Sequence, residues 1–189
     1  MVGNDIVDIK EAKLKSYWQR PRFLEKLFTL QEQQYIHNSE NPFLMVWRLW
    51  SMKEAAYKLY TQLKPSRFYN PKQFECKIND SQGKVSYKDF ICYVNTKITS
   101  QYIISEARLT AMDMVSECIE VKSSSSKNQS DTIKAQLLSA IAFQFNIVKE
   151  DLRILKSDFG IPAVYQNSKK LKIGISISHH GSYGAYAIV

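Results

Sequence analysis

No stretch of this chain approaches the roughly 18 consecutive apolar residues of a membrane-spanning helix, so no spanning helix is expected. The N-terminus, Met1-Val2-Gly3-Asn4-Asp5, lacks the pattern of a signal peptide, and the expected location is the cytoplasm. Cysteine is scarce. Cys76, Cys92 and Cys118 are odd in number and have no metal-ligand spacing, so they read as reduced, packed thiols rather than a disulfide framework or a zinc site. Acidic residues are in deficit: 18 against 26 Lys and Arg, for a net charge of +8. Such a balance fits an anionic partner, whether nucleic acid, an acidic protein or a phosphorylated cofactor. Nucleic acid has only the charge in its favour, because the lysines are scattered and no RNP-like or helix-turn-helix pattern occurs. With 189 residues, 44% of them apolar, the chain can form one domain or two small packed lobes.

Residues 43–63 read as one helix, rich in Ala, Leu, Met, Lys and Glu and free of Gly and Pro. Apolar residues fall nearly all round it, so it should be buried. Lys53, Glu54 and Lys58 lie within it, and buried charges need partners. Glu54 and Lys58 are four apart and share a face. One reading is an i,i+4 ion pair on a solvated stripe. The other is a metal carboxylate flanked by ammonium groups that hold phosphates.

The rest of the chain alternates between sheet and helix signals. Residues 2–9 read as a short strand carrying Asp5. Residues 10–38 are helical with a break at Pro21, and Thr29 with Glu32 makes a capping box. Strands are expected over 74–79, 90–96 and 102–109, with a turn at 80–84 and a further strand over 114–121. The serine-rich stretch 123–130 reads as a linker. Asp131 should cap a helix over 132–145. Strands over 152–156, 172–177 and 183–189 complete the chain, with a turn at Gly160-Ile161-Pro162.

Three stretches carry a family likeness. Trp50-Ser51-Met52-Lys53-Glu54-Ala55-Ala56-Tyr57-Lys58 resembles the W-x-x-K-E-A-x-x-K signature of the 4′-phosphopantetheinyl transferases. Gly3-Asn4-Asp5-Ile6 is similar to that superfamily's G-x-D-I motif, and Ser176-Ile177-Ser178-His179 to its S-I-S-H motif. The resemblance implies an α+β fold of two similar lobes, a pseudo-dimer in which each small antiparallel sheet packs on helices. The lobes would span residues 1–122 and 131–189, joined by 123–130. They resemble the halves of the surfactin-synthetase-activating type in swapped order, while the order of motifs is also that of the holo-acyl-carrier-protein synthase type. A monomer with neighbouring termini follows from the swap.

The implied reaction is Mg²⁺-dependent transfer of the phosphopantetheine arm of coenzyme A to a serine of an apo acyl or peptidyl carrier protein. The partner would be acidic, serving fatty-acid, polyketide or nonribosomal-peptide synthesis. Carried over residue by residue, Asp5 and Glu54 are the metal ligands. Lys53 and Lys58 hold phosphate oxygens, and Ser178 and His179 reach coenzyme A from the opposite lobe. Glu54, Glu32 or a metal-bound water would take the serine proton. His180 has no motif support. The segment Arg20-Pro21-Arg22-Phe23 with Lys26 offers cations around an aromatic and is the expected carrier surface.

The chain departs from the larger type in three places. Val7 stands where a third acidic ligand is expected, and Ile161 where a lysine sits in the G-x-P turn. The basic segment that grips the 3′-phosphate has no match, with Lys64, Arg67, Lys122 and Lys127 as possible substitutes. A non-catalytic member that binds coenzyme A or a carrier protein is the alternative those departures support.

Overall fold

Strand β1, Gly3–Asp8, is buried along most of its length. The computed structural model describes residues 1–110, 113–121 and 125–189. After β1 come the short helices α1 (Ile9–Lys15), α2 (Phe23–Leu27) and α3 (Leu30–His37), with a break around Pro21 as expected. The long helix α4 follows, Pro42–Leu63. Asn41 caps it by accepting from the Leu44 N–H, and Pro42 occupies the first turn, where no amide donor is needed. Then come β2 (Glu75–Asn79), β3 (Gln82–Tyr87), β4 (Phe90–Ile98) and β5 (Tyr102–Arg108). These form an antiparallel sheet in the order β1-β5-β4-β3-β2. One face of that sheet packs on α4, around Phe28, Leu49, Met52, Leu59, Phe74 and Ile103.

The second half consists of β6 (Val115–Glu120), α5 (Ser126–Phe145), β7 (Leu152–Lys156), β8 (Pro162–Gln166), β9 (Lys169–Lys170), β10 (Ile175–His180) and β11 (Tyr183–Ile188). It contains two three-stranded sheets, β10-β11-β6 and β7-β8-β9. Its core gathers Ile133, Leu137 and Ile141 of α5 against Ile175, Tyr186 and Ile188. All the sheets are antiparallel, and the architecture is α+β. No helix among the described residues is long and apolar enough to cross a membrane.

Several elements differ from the sequence expectation. β3 begins inside the stretch read as a turn, because the chain reverses tightly at Asp80, whose φ is 48°. Gly83 is needed within that strand: a Cβ there would lie 2.5 Å from Met52 Cε and 2.8 Å from the Lys77 carbonyl oxygen. β8 and β9 were not anticipated. β6 belongs to the segment expected as the first lobe, yet it pairs with β11. Helix α5 starts at Ser126, so residues 126–130 of the expected linker are helical. Gln129 anchors that extra turn, donating to the Gly181 carbonyl at 2.8 Å. Asp131 therefore lies inside the helix and pairs with Lys134 instead of capping it. Lys122, Ser123 and Ser124 lie outside the described residues.

β1 also connects the two halves. Its pairing with β5 leaves one edge without a strand partner among the described residues, and side chains from β10 cover that edge. The Asn4 N–H donates to Ser176 Oγ at 2.9 Å, and the Asp8 N–H donates to His180 Nδ1 at 3.0 Å. Asp8 in turn accepts from the Ser182 N–H at 2.8 Å, and Ile6, Ile104 and Ala185 fill the seam. Met1 and Val189 meet at Gly174. A Cβ on that glycine would lie 3.2 Å from Met1 Cα and 2.8 Å from Val189 Cγ2.

Candidate functional site

Gly3 sets how closely β1 approaches α4. A Cβ at this position would sit 1.9 Å from the Ala55 carbonyl oxygen, so only glycine allows the contact. Two residues on, Asp5 reaches the helix face that carries Glu54 and Lys58. The Lys58 ammonium donates to Asp5 Oδ1 at 3.0 Å and to the Asn4 carbonyl at 2.9 Å. The ion pair expected within the helix is thus replaced by one between helix and strand. Ser51 holds the strand from below, donating to the Asp5 carbonyl at 3.2 Å.

Two carboxylates share this corner with one ammonium. Burial pushes the Asp5 carboxyl above its usual range, opposed by Lys58 and by the charge of His180. Glu54 is pushed up to about 7, first by burial and then by the negative charge of Asp5, with Lys58 and Tyr69 opposing. A site that resists holding two negative charges is short of one cation. A hard divalent ion with few protein ligands suits it, since Mg²⁺ usually takes one or two carboxylates and completes its shell with water and phosphate. Val7 points into the core at 3% exposure, and among the described residues no cluster of three or more potential metal ligands forms.

The next turn of α4 opens onto a cavity of about 260 Å³. Lys58, Thr61 and Gln62 form one wall, and Lys134 of α5, Lys156 and Ile161 of the β7–β8 hairpin, and His179 of β10 form the other. His179 titrates below the ordinary histidine range, because it is partly desolvated and faces the positive Lys58 and Lys156. Among the described residues that line the cavity none is acidic, as suits a site for an anion. Arg67, in the loop after α4, donates from Nε to the Asp158 carbonyl at 3.2 Å, beside the Phe159–Pro162 segment that lines the cavity.

The structure brings Asp5, Glu54, Lys58 and His179 to one region and separates Lys53, Glu32 and Ser178 from it. Lys53 is wholly buried and donates to both Glu32 oxygens at 2.7 and 2.8 Å, and to the Pro71 and Phe74 carbonyls. Glu32 is also wholly buried. Besides Lys53 it accepts from the Thr29 N–H of its capping box and from the Cys76 N–H. Each charge is consumed by the other and by backbone groups, so neither meets a ligand or a proton from solvent. Ser178 alternates with His179 along β10 and is turned inward at 5% exposure, away from the cavity. His180, unmotivated by sequence, fastens β1.

Lys134 and Lys156 were not anticipated, because only the tertiary fold makes scattered lysines converge. Of the suggested substitutes for the basic segment, Lys64 pairs with Asp89, Arg67 bridges to the β7–β8 turn, and Lys127 lies exposed on α5. At the expected carrier surface, Phe23 is 8% exposed, with the Arg20 guanidinium over its ring at 4.6 Å. Leu14 and Tyr17, just before this segment in the chain, and Leu30, just after it, are exposed.

Comparison with known proteins agrees with the geometry. A holo-[acyl-carrier-protein] synthase of Caldanaerobacter subterraneus subsp. tengcongensis is 34% identical over 58 residues, which is 31% of this chain and 45% of that protein. The chain thus spans less than half the length of that relative in the match. The family profile described as the 4′-phosphopantetheinyl transferase superfamily matches residues 1–108. Those residues carry Asp5, Glu54 and Lys58 and make up more than half of the chain, which therefore belongs to the 4′-phosphopantetheinyl transferase superfamily.

Proposed function

We propose that the chain transfers the 4′-phosphopantetheine arm of coenzyme A to a serine of an apo carrier protein, releasing adenosine 3′,5′-bisphosphate. The observation that carries this reading is the Asp5–Glu54 carboxylate pair, bridged by Lys58 to a cationic cavity. In the reaction the serine oxygen bonds to the β-phosphorus, and the bond to the pyrophosphate bridging oxygen breaks. Mg²⁺ at Asp5 and Glu54 would neutralise the charge that builds on the pyrophosphate. Lys58, already oriented by Asp5, holds a phosphate oxygen beside the carboxylates. Lys156 and Lys134 hold the remaining phosphate charge from the other wall, with the His179 imidazole beside them as a neutral hydrogen-bond donor. Positive groups fixed before the reaction stabilise developing charge without having to reorganise. With Glu32 sealed in the core, the serine proton would go to Glu54 or to a metal-bound water.

The same reading takes the chain as a monomer of two lobes in swapped order. Its support is the contact of Met1 and Val189 at Gly174, and a cavity walled by both halves of one chain. The carrier would be acidic, meeting the cations of Arg20, Arg22 and Lys26 beside Leu14 and Tyr17, in the cytoplasm where coenzyme A and carriers occur together.

The test is incubation with coenzyme A, Mg²⁺ and a panel of apo carrier proteins. Catalysis gives a mass gain of one phosphopantetheine on the carrier. Binding of coenzyme A without that gain would make the chain a non-catalytic member.

A further inference from the structure

Tyr69 lies in the loop after α4, in a stretch whose sequence reads only as a turn. Its ring stacks on Tyr57, with centroids 4.3 Å apart and planes at 29°. It meets Trp50 edge-on at 6.4 Å and Phe74 at 5.7 Å. Trp50, Glu54 and Tyr57 are spaced by four and three residues, so they share one face of α4. The ring therefore covers the face from which Glu54 projects.

The Tyr69 hydroxyl is buried and completes no hydrogen bond of normal geometry among the described residues. It lies within the reach of the Glu54 carboxylate, with the charge of Asp5 beyond. A buried donor whose hydrogen bond to its neighbour is not fully formed is unfavourable and calls for an explanation. Packing does not provide one, because phenylalanine would make the same ring contacts. Glu54 has the complementary need. Lys58 is committed to Asp5 and Asn4, which leaves Tyr69 as the group placed to fix the Glu54 side chain. Hydrogen bonds at reacting centres are often long before the ligand arrives and shorten when it binds.

We propose that Tyr69 is a positioning residue that donates its O–H to one Glu54 carboxylate oxygen and holds the other oxygen facing Asp5, toward a divalent cation. This rests on the reading of Asp5 and Glu54 as the metal pair. Partners of metal ligands of this kind change metal affinity by roughly 10- to 100-fold when removed.

The experiment compares the full chain with Tyr69→Phe, Tyr69→Leu and Glu54→Gln. Calorimetry reads Mn²⁺ and Mg²⁺ binding without carrier or turnover, and thermal unfolding reads stability. Tyr69→Phe should weaken cation binding roughly tenfold, leave Tm unlowered and leave the KM for coenzyme A unchanged. Tyr69→Leu, which also loses the stacking, should lower Tm. Wild-type cation affinity in Tyr69→Phe would overturn the proposal and make Tyr69 a packing residue. If Glu54→Gln binds the cation as the wild type does, the metal pair itself is wrong and the proposal falls with it.

Discussion

Replacing Glu54 with glutamine should abolish transfer and at the same time stabilise the protein at alkaline pH. In the fold the Glu54 carboxyl titrates at about 7 instead of the ordinary 4.5. The folded state therefore holds this proton more tightly than the unfolded chain does. Between those two values the native state binds more protons, so stability falls as pH rises. The contribution is fully present below pH 4.5 and lost above about 7. At about 1.4 kcal/mol per pH unit, the ionised carboxylate costs about 3 kcal/mol at pH 8. Glutamine keeps the shape, never ionises and removes that cost. For a chain of this size, the Tm of the variant should exceed that of the wild type by roughly 6–10 °C at pH 8. At pH 4.5 the two should coincide. Scanning calorimetry at pH 4.5, 6, 7 and 8 in chelator measures the difference. Adding Mg²⁺ at pH 8 should then raise the Tm of the wild type alone, since a ligand stabilises only the state that binds it. A Tm difference independent of pH would refute the account of Glu54 as a desolvated carboxylate. A variant that transfers at nearly the wild-type rate in saturating Mg²⁺ would refute its role as a metal ligand.

Lys58→Ala should raise the KM for coenzyme A and slow transfer, because the variant loses both a phosphate contact and the cation that organises Asp5. A change in thermal stability alone would return Lys58 to a structural ion pair. Glu32→Gln leaves the Lys53 ammonium buried without its charge partner, and loss of one member of such a pair costs about 3–5 kcal/mol. Its Tm should fall by at least roughly 6 °C with the KM for coenzyme A unchanged; a stable but inactive variant would restore Glu32 to the chemistry. Charge reversal at Arg22 and Lys26 should raise the KM for carrier protein but not for coenzyme A. Equal effects on both substrates would remove this surface from carrier recognition.

Much of this arrangement was legible in the sequence, where local rules decide it. Helix α4 follows from the composition of residues 43–63, and the Thr29–Glu32 capping box from a spacing of three. What spacing does not encode is where a side chain goes once its own element is satisfied. Glu32 continues past its cap to Lys53, 21 residues away, and to the Cys76 amide. That closes a buried ion pair which sequence alone presents as two separate functional candidates. Lys134 and Lys156 were illegible for the converse reason: each is an ordinary lysine on its own element, and only the fold brings them to one cavity. The Asp5–Glu54–Lys58 corner was legible only through likeness to a family, since nothing local dictates that β1 crosses α4 at Gly3.

The Ser176-Ile177-Ser178-His179-His180 run shows why residues adjacent in sequence differ in role. A strand sends alternate side chains to opposite faces. Ile177 and His179 face the cavity, which Ser176 also borders, while the Ser176 hydroxyl and the His180 ring accept the Asn4 and Asp8 amides at the open edge of β1. An unpaired edge needs cover, because it otherwise presents free backbone groups to any passing strand. Here the cover comes from the same strand that delivers His179. The hydrogen bonds that fix β1, and with it Asp5, therefore also fix how far His179 stands from Lys58. The carboxylates lie within residues 1–108, but their register against the cationic wall is set by β10. Loosening His180 should consequently disturb both walls of the site together, although its own side chain lines neither.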